Sequence, residues 1–205
     1  VNHLYKGLEV SMETKLMGLV QLEIVSTFGK YRILNNPLYE ILLVNDLYKV
    51  ESGILQLKNM PAATSPELVH AVSLQYQPSY NFSFSISGVF ASNRYINHDY
   101  FRRSSLVKNN STPTQWNTIS ALTMLPNQFC LNAYLSKTFS LRTANKFYLF
   151  RTSLSTRNIL NTLIPVLVFE QSRFDYKSLD TEKFAPKYIF DQGTTYALGV
   201  QLTIQ

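Results

Sequence analysis

The chain has 205 residues, 45% of them apolar and 16% charged, with a formal net charge of +6. The charged fraction lies below the roughly 25% usual for soluble domains, and a mean hydropathy of −0.06 excludes a bundle of membrane helices. No run of residues approaches the roughly 18 unbroken apolar positions of a spanning helix, and a single cysteine, Cys130, excludes an internal disulfide.

The positive charge does not point to nucleic acid. The basic residues are spread over the whole chain, and the longest basic cluster is the pair Arg102-Arg103. Nucleic-acid-binding domains concentrate their lysines and arginines on one face or in one segment. We therefore expect no nucleic-acid partner.

Alternation of apolar and polar side chains recurs along the chain and predicts seven strands. In the closing stretch, every even position from Tyr196 to Ile204 is apolar and every odd position is small or polar. No comparable stretch shows a convincing period of 3.6 residues, so we expect an almost entirely β chain in antiparallel hairpins. The predicted strands cover about 3–16, 19–34, 68–76, 80–96, 127–141, 146–158 and 187–205.

The connections between these strands alternate strictly between short and long. The short ones are Met17-Gly18, Gln77-Pro78-Ser79 and Arg142 to Asn145. The long ones are 35–67, 97–126 and 159–186. All short turns therefore lie at one end of the sheet and all long loops at the other, as in outer-membrane barrels with periplasmic turns and extracellular loops.

Strand length favours the same fold class. Soluble strands usually run about 5–6 residues, whereas a strand that crosses a bilayer needs about 9–11. Tyr76, Tyr80 and Tyr148 lie next to short turns, where an aromatic girdle is expected. We predict an antiparallel transmembrane β-barrel whose apolar strand face contacts lipid. The alternative is a soluble ligand-binding β-barrel or sandwich, whose strands also alternate.

Several segments resemble a known family in the order in which they occur. They are YKGLEVSMETKL (5–16), LVHAVSLQYQPSYNFSFSISG (68–88), TRNILN (156–161), FEQSRFDY (169–176) and KFAPKYIFDQGTTYALGVQLTIQ (183–205). Together they resemble the C-terminal end of TonB-dependent outer-membrane receptors, especially those with a carboxypeptidase-like N-terminal domain. The resemblance covers most of the chain.

The resemblance implies a nutrient-uptake receptor in the bacterial outer membrane. Its expected partners are outer-membrane lipid, the remainder of the barrel and its plug, an inner-membrane energy-coupling protein that acts through the plug, and the barrel-assembly machinery. Gly199, Leu202 and Ile204 approximately match the assembly signal of the family.

Seven strands are too few for such a receptor. Residues 1–205 are therefore interpreted as the C-terminal portion of a larger, 22-stranded barrel without the plug domain. We expect this chain alone to leave its first and last strands as open edges. The alternative is a small standalone outer-membrane barrel, a pore or structural anchor, with an eighth strand in ILQLKN (54–59).

Two groups of residues are candidates for function. Aromatic and arginine side chains in the long loops suit a ligand-capture surface, although for each single residue loop-to-loop packing is the favoured explanation. The loop candidates are Arg102, Arg103, Trp116, Glu170, Arg173 and Asp175. The charged residues expected on the lumen face are Glu9, Glu13, Lys15, Glu23, Arg151 and Arg157. In a transporter these would contact the plug, and in an open pore they would set ion selectivity.

Enzymatic chemistry has little support in the sequence. The three histidines are scattered without metal-ligand spacing, and no phosphate-binding loop or hydrolase motif occurs. The single candidate cluster is His98 and Asp99 with Ser104 or Ser105, which we interpret as a polar loop. We expect neither a catalytic site nor a metal or cofactor site.

Overall fold

The computed structural model describes residues 1–42, 49–62, 65–144, 146–173, 175, 178–180 and 182–204, with only the backbone of residues 49 and 50. Seven long strands form one antiparallel sheet in the spatial order β1-β2-β5-β6-β7-β8-β11. These strands are β1 (His3–Leu16), β2 (Val20–Ile33), β5 (Leu68–Ser79), β6 (Phe82–Ser92), β7 (Gln128–Arg142), β8 (Phe147–Arg157) and β11 (Thr195–Ile204). The predicted all-β, antiparallel fold is confirmed.

The sheet separates apolar from polar side chains, as the alternation predicts. One row of directly paired residues across all seven strands reads Leu16, Val20, Tyr76, Phe84, Leu135, Leu154 and Leu198. The neighbouring row on the opposite face reads Lys15, Gln21, Gln75, Ser85, Tyr134, Ser155 and Ala197. We call these two surfaces the apolar face and the polar face.

The strands are tilted away from the perpendicular to the line that joins their ends, and their tilt is measured from that perpendicular. From the row of Leu16 and Leu198 to the long-loop end, β1 extends 13 residues to His3 and β11 extends 3 residues to Thr195. This difference accumulates over six strand spacings of about 4.8 Å, at about 3.3 Å per residue. The tilt is therefore about 50° at the loop end. At the turn end the same row lies 0 residues from the end of β1 and 6 from Ile204, which gives about 35°.

The long loops build a layer at one end of the sheet, which we call the loop layer. It contains two small antiparallel sheets, a 3₁₀ turn (Phe101–Arg103) and two short helices. The first small sheet pairs β3 (Leu38–Leu42) with β4 (Lys49–Ile54), and the second pairs β9 (Pro165–Phe169) with β10 (Lys187–Phe190). The helices are α1 (Ser105–Asn109) and α2 (Pro113–Ser120).

The buried apolar residues lie in this layer and at its junction with the sheet. Among the described residues they form three clusters. These are Val107, Ile119 and Leu179; Ile33, Leu57 and Met60; and Ile96, Leu125 and Val168. These clusters are thus built from the loop layer and from Ile33 at the end of β2, and none of them lies in the middle of the apolar face.

Three expectations about the elements are wrong. The closing strand predicted over 187–205 is divided, because β10 pairs with β9 and a bend at 191–194 precedes β11. The turn expected at Gln77-Pro78-Ser79 lies instead at Tyr80-Asn81, because a register irregularity between Tyr76 and Ser79 keeps Pro78 within β5. The loop over 97–126 contains the helices α1 and α2, which the alternation pattern cannot reveal.

The open edges follow the expectation. Among the described residues, β1 pairs with β2 alone and β11 with β8 alone, so the sheet does not close on itself. Residues 54–59 do not supply an eighth strand to it, since only Ile54 of that stretch is in a strand, and β4 belongs to the small sheet with β3. Gln205, the last residue of the predicted closing strand, lies outside the described residues.

Candidate functional site

The apolar face is the largest unusual surface of the molecule. Its side chains are extensively exposed, and Leu198 in β11 retains 76% of its accessible surface. The chain exposes 13530 Å² in total, whereas a compact monomer of 23.5 kDa exposes about 9,800 Å². The excess of more than a third arises because the sheet stands uncovered.

The polar face carries all six residues expected to face a lumen. The acidic ones and Lys15 lie at the β1–β2 edge, where Glu13 pairs directly with Glu23 and accepts a hydrogen bond from Gln21 at 2.8 Å. The two arginines lie at the other edge, and Arg151 donates to the Tyr134 hydroxyl at 3.2 Å. Glu9, Glu13 and Glu23 thus lie on β1 and β2 together with Lys15, and the two arginines lie on β8. Arg157 forms an ion pair with Asp191 at 2.8 Å. Whether the polar face lines a lumen stays a prediction.

A buried ion pair joins two long loops. Arg103 has no exposed side-chain surface, Glu170 has 7%, and the guanidinium donates two hydrogen bonds to the carboxylate, that from Nη2 at 2.9 Å. Glu170 also accepts the backbone N–H of Asp99 at 2.8 Å. Arg103 further donates to the carbonyls of Asp99 (3.0 Å) and Ala121 (3.1 Å). This pair ties loop 97–126 to the strand end at Phe169.

Two further loop candidates, Arg102 and Asp175, contact neighbouring parts of the loops. Arg102 is buried and donates to the carbonyls of Arg173 at 2.9 Å and Phe184 at 3.1 Å. Asp175 forms an ion pair with Lys183 and accepts from Ser178 N at 3.1 Å. These contacts, together with the burial of Arg103, favour loop packing over ligand capture for these side chains.

The histidine cluster is occupied by structural hydrogen bonds. His98 Nε2 accepts from Thr123 N at 3.1 Å, Asp99 Oδ1 accepts from Phe101 N at 2.9 Å, and the Ser104 hydroxyl caps α1 by accepting from Val107 N. Burial, and secondarily the charge of Arg103, lower the pKa of His98 to about 4, against an opposing effect of Glu170. His98 is therefore neutral at pH 7, and the cluster does not assemble a nucleophile with its base.

Arg173 is an exposed loop candidate, and Trp116 is a half-buried one that keeps access to solvent. Trp116 packs against the cluster of Val107, Ile119 and Leu179, and Lys108 Nζ lies 5.7 Å from the centre of its ring. A shallow cleft of about 360 Å³ separates this helix from the loop of Lys58 and Asn59. An aromatic ring beside the ammonium group of Lys108 suits ligand capture, which stays a prediction for Trp116.

The matched assembly-signal residues lie on the edge strand β11. Leu202 and Ile204 project from the apolar face with more than half of their surface exposed. Gly199 lies on the polar face, where an added Cβ would approach Ser153 Oγ within 2.5 Å. Among the described residues, β11 pairs with β8 alone, and recognition of this strand by assembly machinery stays a prediction.

Three features escape the sequence prediction. Lys6 and Lys30 lie directly opposite each other on the apolar face, at its loop end. Gly88 opens a notch in the same face. Asn158, which is almost fully buried with a φ of 54°, exchanges three side-chain hydrogen bonds with Thr162. The parity of Lys6 with Leu8 and of Lys30 with Phe28 places these two charges on the apolar face. Lys137 lies on the same face near the turn end, since it has the parity of Leu135.

Comparisons with protein-family models, curated proteins and solved structures give no match to this chain. No helix among the described residues is long and apolar enough to cross a membrane. Within the same residues, no three histidine, cysteine, aspartate or glutamate side chains are grouped so that they could hold a metal ion.

Proposed function

We propose that this chain is part of the wall of an outer-membrane β-barrel, and that the barrel is a TonB-dependent receptor for nutrient uptake. The uncovered apolar face carries the first half of this proposal. A sheet face of leucine, valine and phenylalanine needs an apolar environment, because burying each such side chain is worth about 1.5–3 kcal/mol. Lipid provides that environment without a second layer of protein.

The dimensions of the apolar face agree with a bilayer. The apolar positions of β11 extend from Tyr196 to Ile204, about 26 Å along the strand. With a tilt of about 40°, this corresponds to about 20 Å along the membrane normal, close to the roughly 25 Å apolar band of outer-membrane barrels. The strand tilt itself falls near the 35–45° that barrel closure requires.

The second half of the proposal rests on the sequence resemblance and on the open edges. Unpaired strand edges cannot remain in lipid, where each unsatisfied backbone group costs several kcal/mol. The edges of β1 and β11 therefore pair with strands from outside residues 1–205, which suits a portion of a larger receptor barrel. In that receptor the polar face contacts the plug and the loop layer lies outside the cell.

Two alternative functions differ in what must cover the two faces of the sheet. A small outer-membrane pore or anchor keeps the lipid contact and needs no plug against the polar face. A soluble ligand-binding barrel needs protein to cover the apolar face. On the polar face of β1 and β2, three glutamates outnumber the single lysine, which favours a lumen that is filled by a complementary protein surface.

The test uses neighbouring residues of the complete protein that carries this chain, reconstituted in vesicles. On a Cys130→Ser background, Leu154→Cys and Ser155→Cys are labelled separately with an environment-sensitive fluorophore, and brominated lipid is added as the quencher. Leu154 projects from the apolar face and Ser155 from the polar face. We expect quenching at Leu154 and much weaker quenching at Ser155.

Val10→Cys and Ser11→Cys repeat the comparison at the other edge of the sheet. Equal, weak quenching at all four positions would mean that protein covers the apolar face, and would refute the membrane proposal. The plug is tested separately, by crosslinking from Glu13→Cys to the region upstream of this chain. A membrane signal without any plug crosslink would favour the standalone barrel.

A further inference from the structure

We propose that the apolar face carries a binding site for a phosphate-bearing lipid in the loop-side leaflet, and that Lys6 and Lys30 hold the phosphate. This inference rests on the proposed membrane function, because the ligand reaches the site only from a bilayer. The site combines a pair of ammonium groups at the upper boundary of the apolar face with an apolar notch below them.

The two lysines form an uncompensated like-charge pair. Lys6 lies directly opposite Lys30 in the register of β1 and β2, and both side chains are exposed. Like charges directly opposite each other on a sheet are destabilising. Arg32, two residues beyond Lys30 on the same face, is neutralised by Glu67. Among the described residues, neither lysine forms an ion pair, so an anion from outside the chain is the natural counter-charge.

The position of the two lysines along their strands favours a lipid phosphate as the bound anion. The next paired residues toward the turn end are Leu8 and Phe28, where the apolar band begins. In a bilayer that spans this band, the ammonium groups lie at the level of the lipid headgroups. Basic side chains at this level attract anionic lipid with about 1 kcal/mol each. The charge complementarity therefore favours a phosphate that is attached to a lipid over one that is free in solution.

A notch in the apolar face accommodates the hydrocarbon part of the lipid. It has a volume of about 310 Å³ and lies over Gly88, between Phe129, Leu131 and Val72. A Cβ at Gly88 would already lie 3.3 Å from the Phe129 ring, so a larger side chain there would fill the space. Such a notch gives one acyl chain a fixed position that a smooth sheet face does not offer.

An aromatic path connects the lysine pair to the notch. Phe28, two residues below Lys30, lies edge-on to the His70 ring at 5.6 Å, and His70 stacks on Phe90 at 6.4 Å. His70 Nδ1 lies 2.9 Å from Ser26 Oγ, so these two polar groups satisfy each other. The path therefore remains apolar from the headgroup level to Gly88.

The experiment measures lipid retention by the complete protein in detergent, using native mass spectrometry with added phosphatidylglycerol or phosphatidylcholine. Two lysines should favour phosphatidylglycerol about 30-fold, equivalent to about 2 kcal/mol. The variant K6Q/K30Q should lose this preference. K137Q/K146Q, which removes two charges near the turn end, should retain it. G88L should weaken the retention of both lipids.

Each remaining outcome bears on the proposal. An unchanged preference in K6Q/K30Q, with heat-modifiable mobility showing a folded barrel, would overturn it. Displacement of phosphatidylglycerol by inorganic phosphate would also overturn it, because the occupant would then be a free anion. The single variants K6Q and K30Q, each expected to lose about fivefold in preference, replace the double variant if that variant does not fold. If the label at Leu154→Cys shows no lipid quenching, the membrane proposal itself has failed. If that label is quenched but the wild-type protein shows no preference for phosphatidylglycerol, only the lipid-site inference has failed.

Discussion

Replacing Glu170 by alanine should open the loop layer without unfolding the sheet. The carboxylate accepts one hydrogen bond from each terminal nitrogen of the buried Arg103 guanidinium and one from the backbone N–H of Asp99. Its removal leaves a cation with no exposed surface and no compensating charge. Breaking a buried ion pair by removing one partner costs about 3–5 kcal/mol, which corresponds to an opening equilibrium that is roughly 10³-fold more favourable.

Hydrogen exchange of single amides can measure this change. Asn97 N donates to the carbonyl of Val168 at 2.8 Å, and Glu170 N donates to the carbonyl of Asn97 at 2.9 Å, so both amides report on the joint between the two loops. In Glu170→Ala, both should exchange roughly 10³-fold faster. Amides at the centre of β7 and β8 should keep their protection.

Two controls separate the buried pair from a general charge effect. Lys183→Gln breaks the exposed pair with Asp175 and should change exchange little, because solvent screens it. The double variant Arg103→Met, Glu170→Met removes both charges and should recover part of the lost protection, since two apolar side chains of similar volume replace the pair. Exchange at the wild-type rate in Glu170→Ala would refute the assignment of the pair as the joint of the loop layer.

Three further predictions concern separate parts of the chain. If the apolar face contacts lipid, Val200→Arg should cost about 2–4 kcal/mol of stability near the middle of the bilayer. It should therefore reduce the amount of heat-modifiable barrel in the outer membrane, whereas Gln201→Arg should leave that amount unchanged. Equal losses in both variants would mean that protein covers both faces. Burial lowers the pKa of His98 from 6.5 to about 4, so the loop layer should lose stability as the pH falls from 6.5 to 4. Its opening equilibrium constant should rise by up to about tenfold per pH unit, and His98→Gln should abolish this pH dependence in hydrogen exchange. Asn158→Ala should cost about 1–3 kcal/mol through the lost hydrogen bonds to Thr162 and accelerate proteolysis of the following loop, and unchanged proteolysis would contradict the role of Asn158.

The sheet was readable from the sequence because its information is local. A strand's alternation is contained in its own residues, and the alternation of short and long connections fixes which strands are neighbours. The position of the β5–β6 turn was predicted wrongly because proline occurs both in turns and at irregularities within strands. Pro78 indicates a turn by its fixed backbone, yet in β5 it lies at a register irregularity, where proline is also tolerated.

The helix α2 had a signal that periodicity does not contain. Thr112 is followed by proline at the first helical position and by Gln115 three residues later, and the structure has the complete capping box between them. Reading caps as well as periods would have placed this helix. The pairing of Arg103 with Glu170 had no such signal, since 67 residues separate them and the contact exists only when the two loops meet.

The location of the core links the fold to the proposed function. A soluble sheet of seven long strands would bury its apolar face under a second layer, and that layer would hold the largest buried side chains. Among the described residues, the clusters of buried apolar side chains instead involve the loop layer, where short strands, helices and the Arg103–Glu170 pair pack on one another. The loop layer thus has an internally packed core, whereas none of the clusters formed by the described residues lies in the middle of the apolar face. If the proposed membrane function holds, these two regions face different solvents, and their boundary is where Lys6 and Lys30 lie beside Leu8 and Phe28. Under that proposal, a bilayer whose headgroups meet this boundary provides an apolar environment for the sheet and water for the loop layer at the same time.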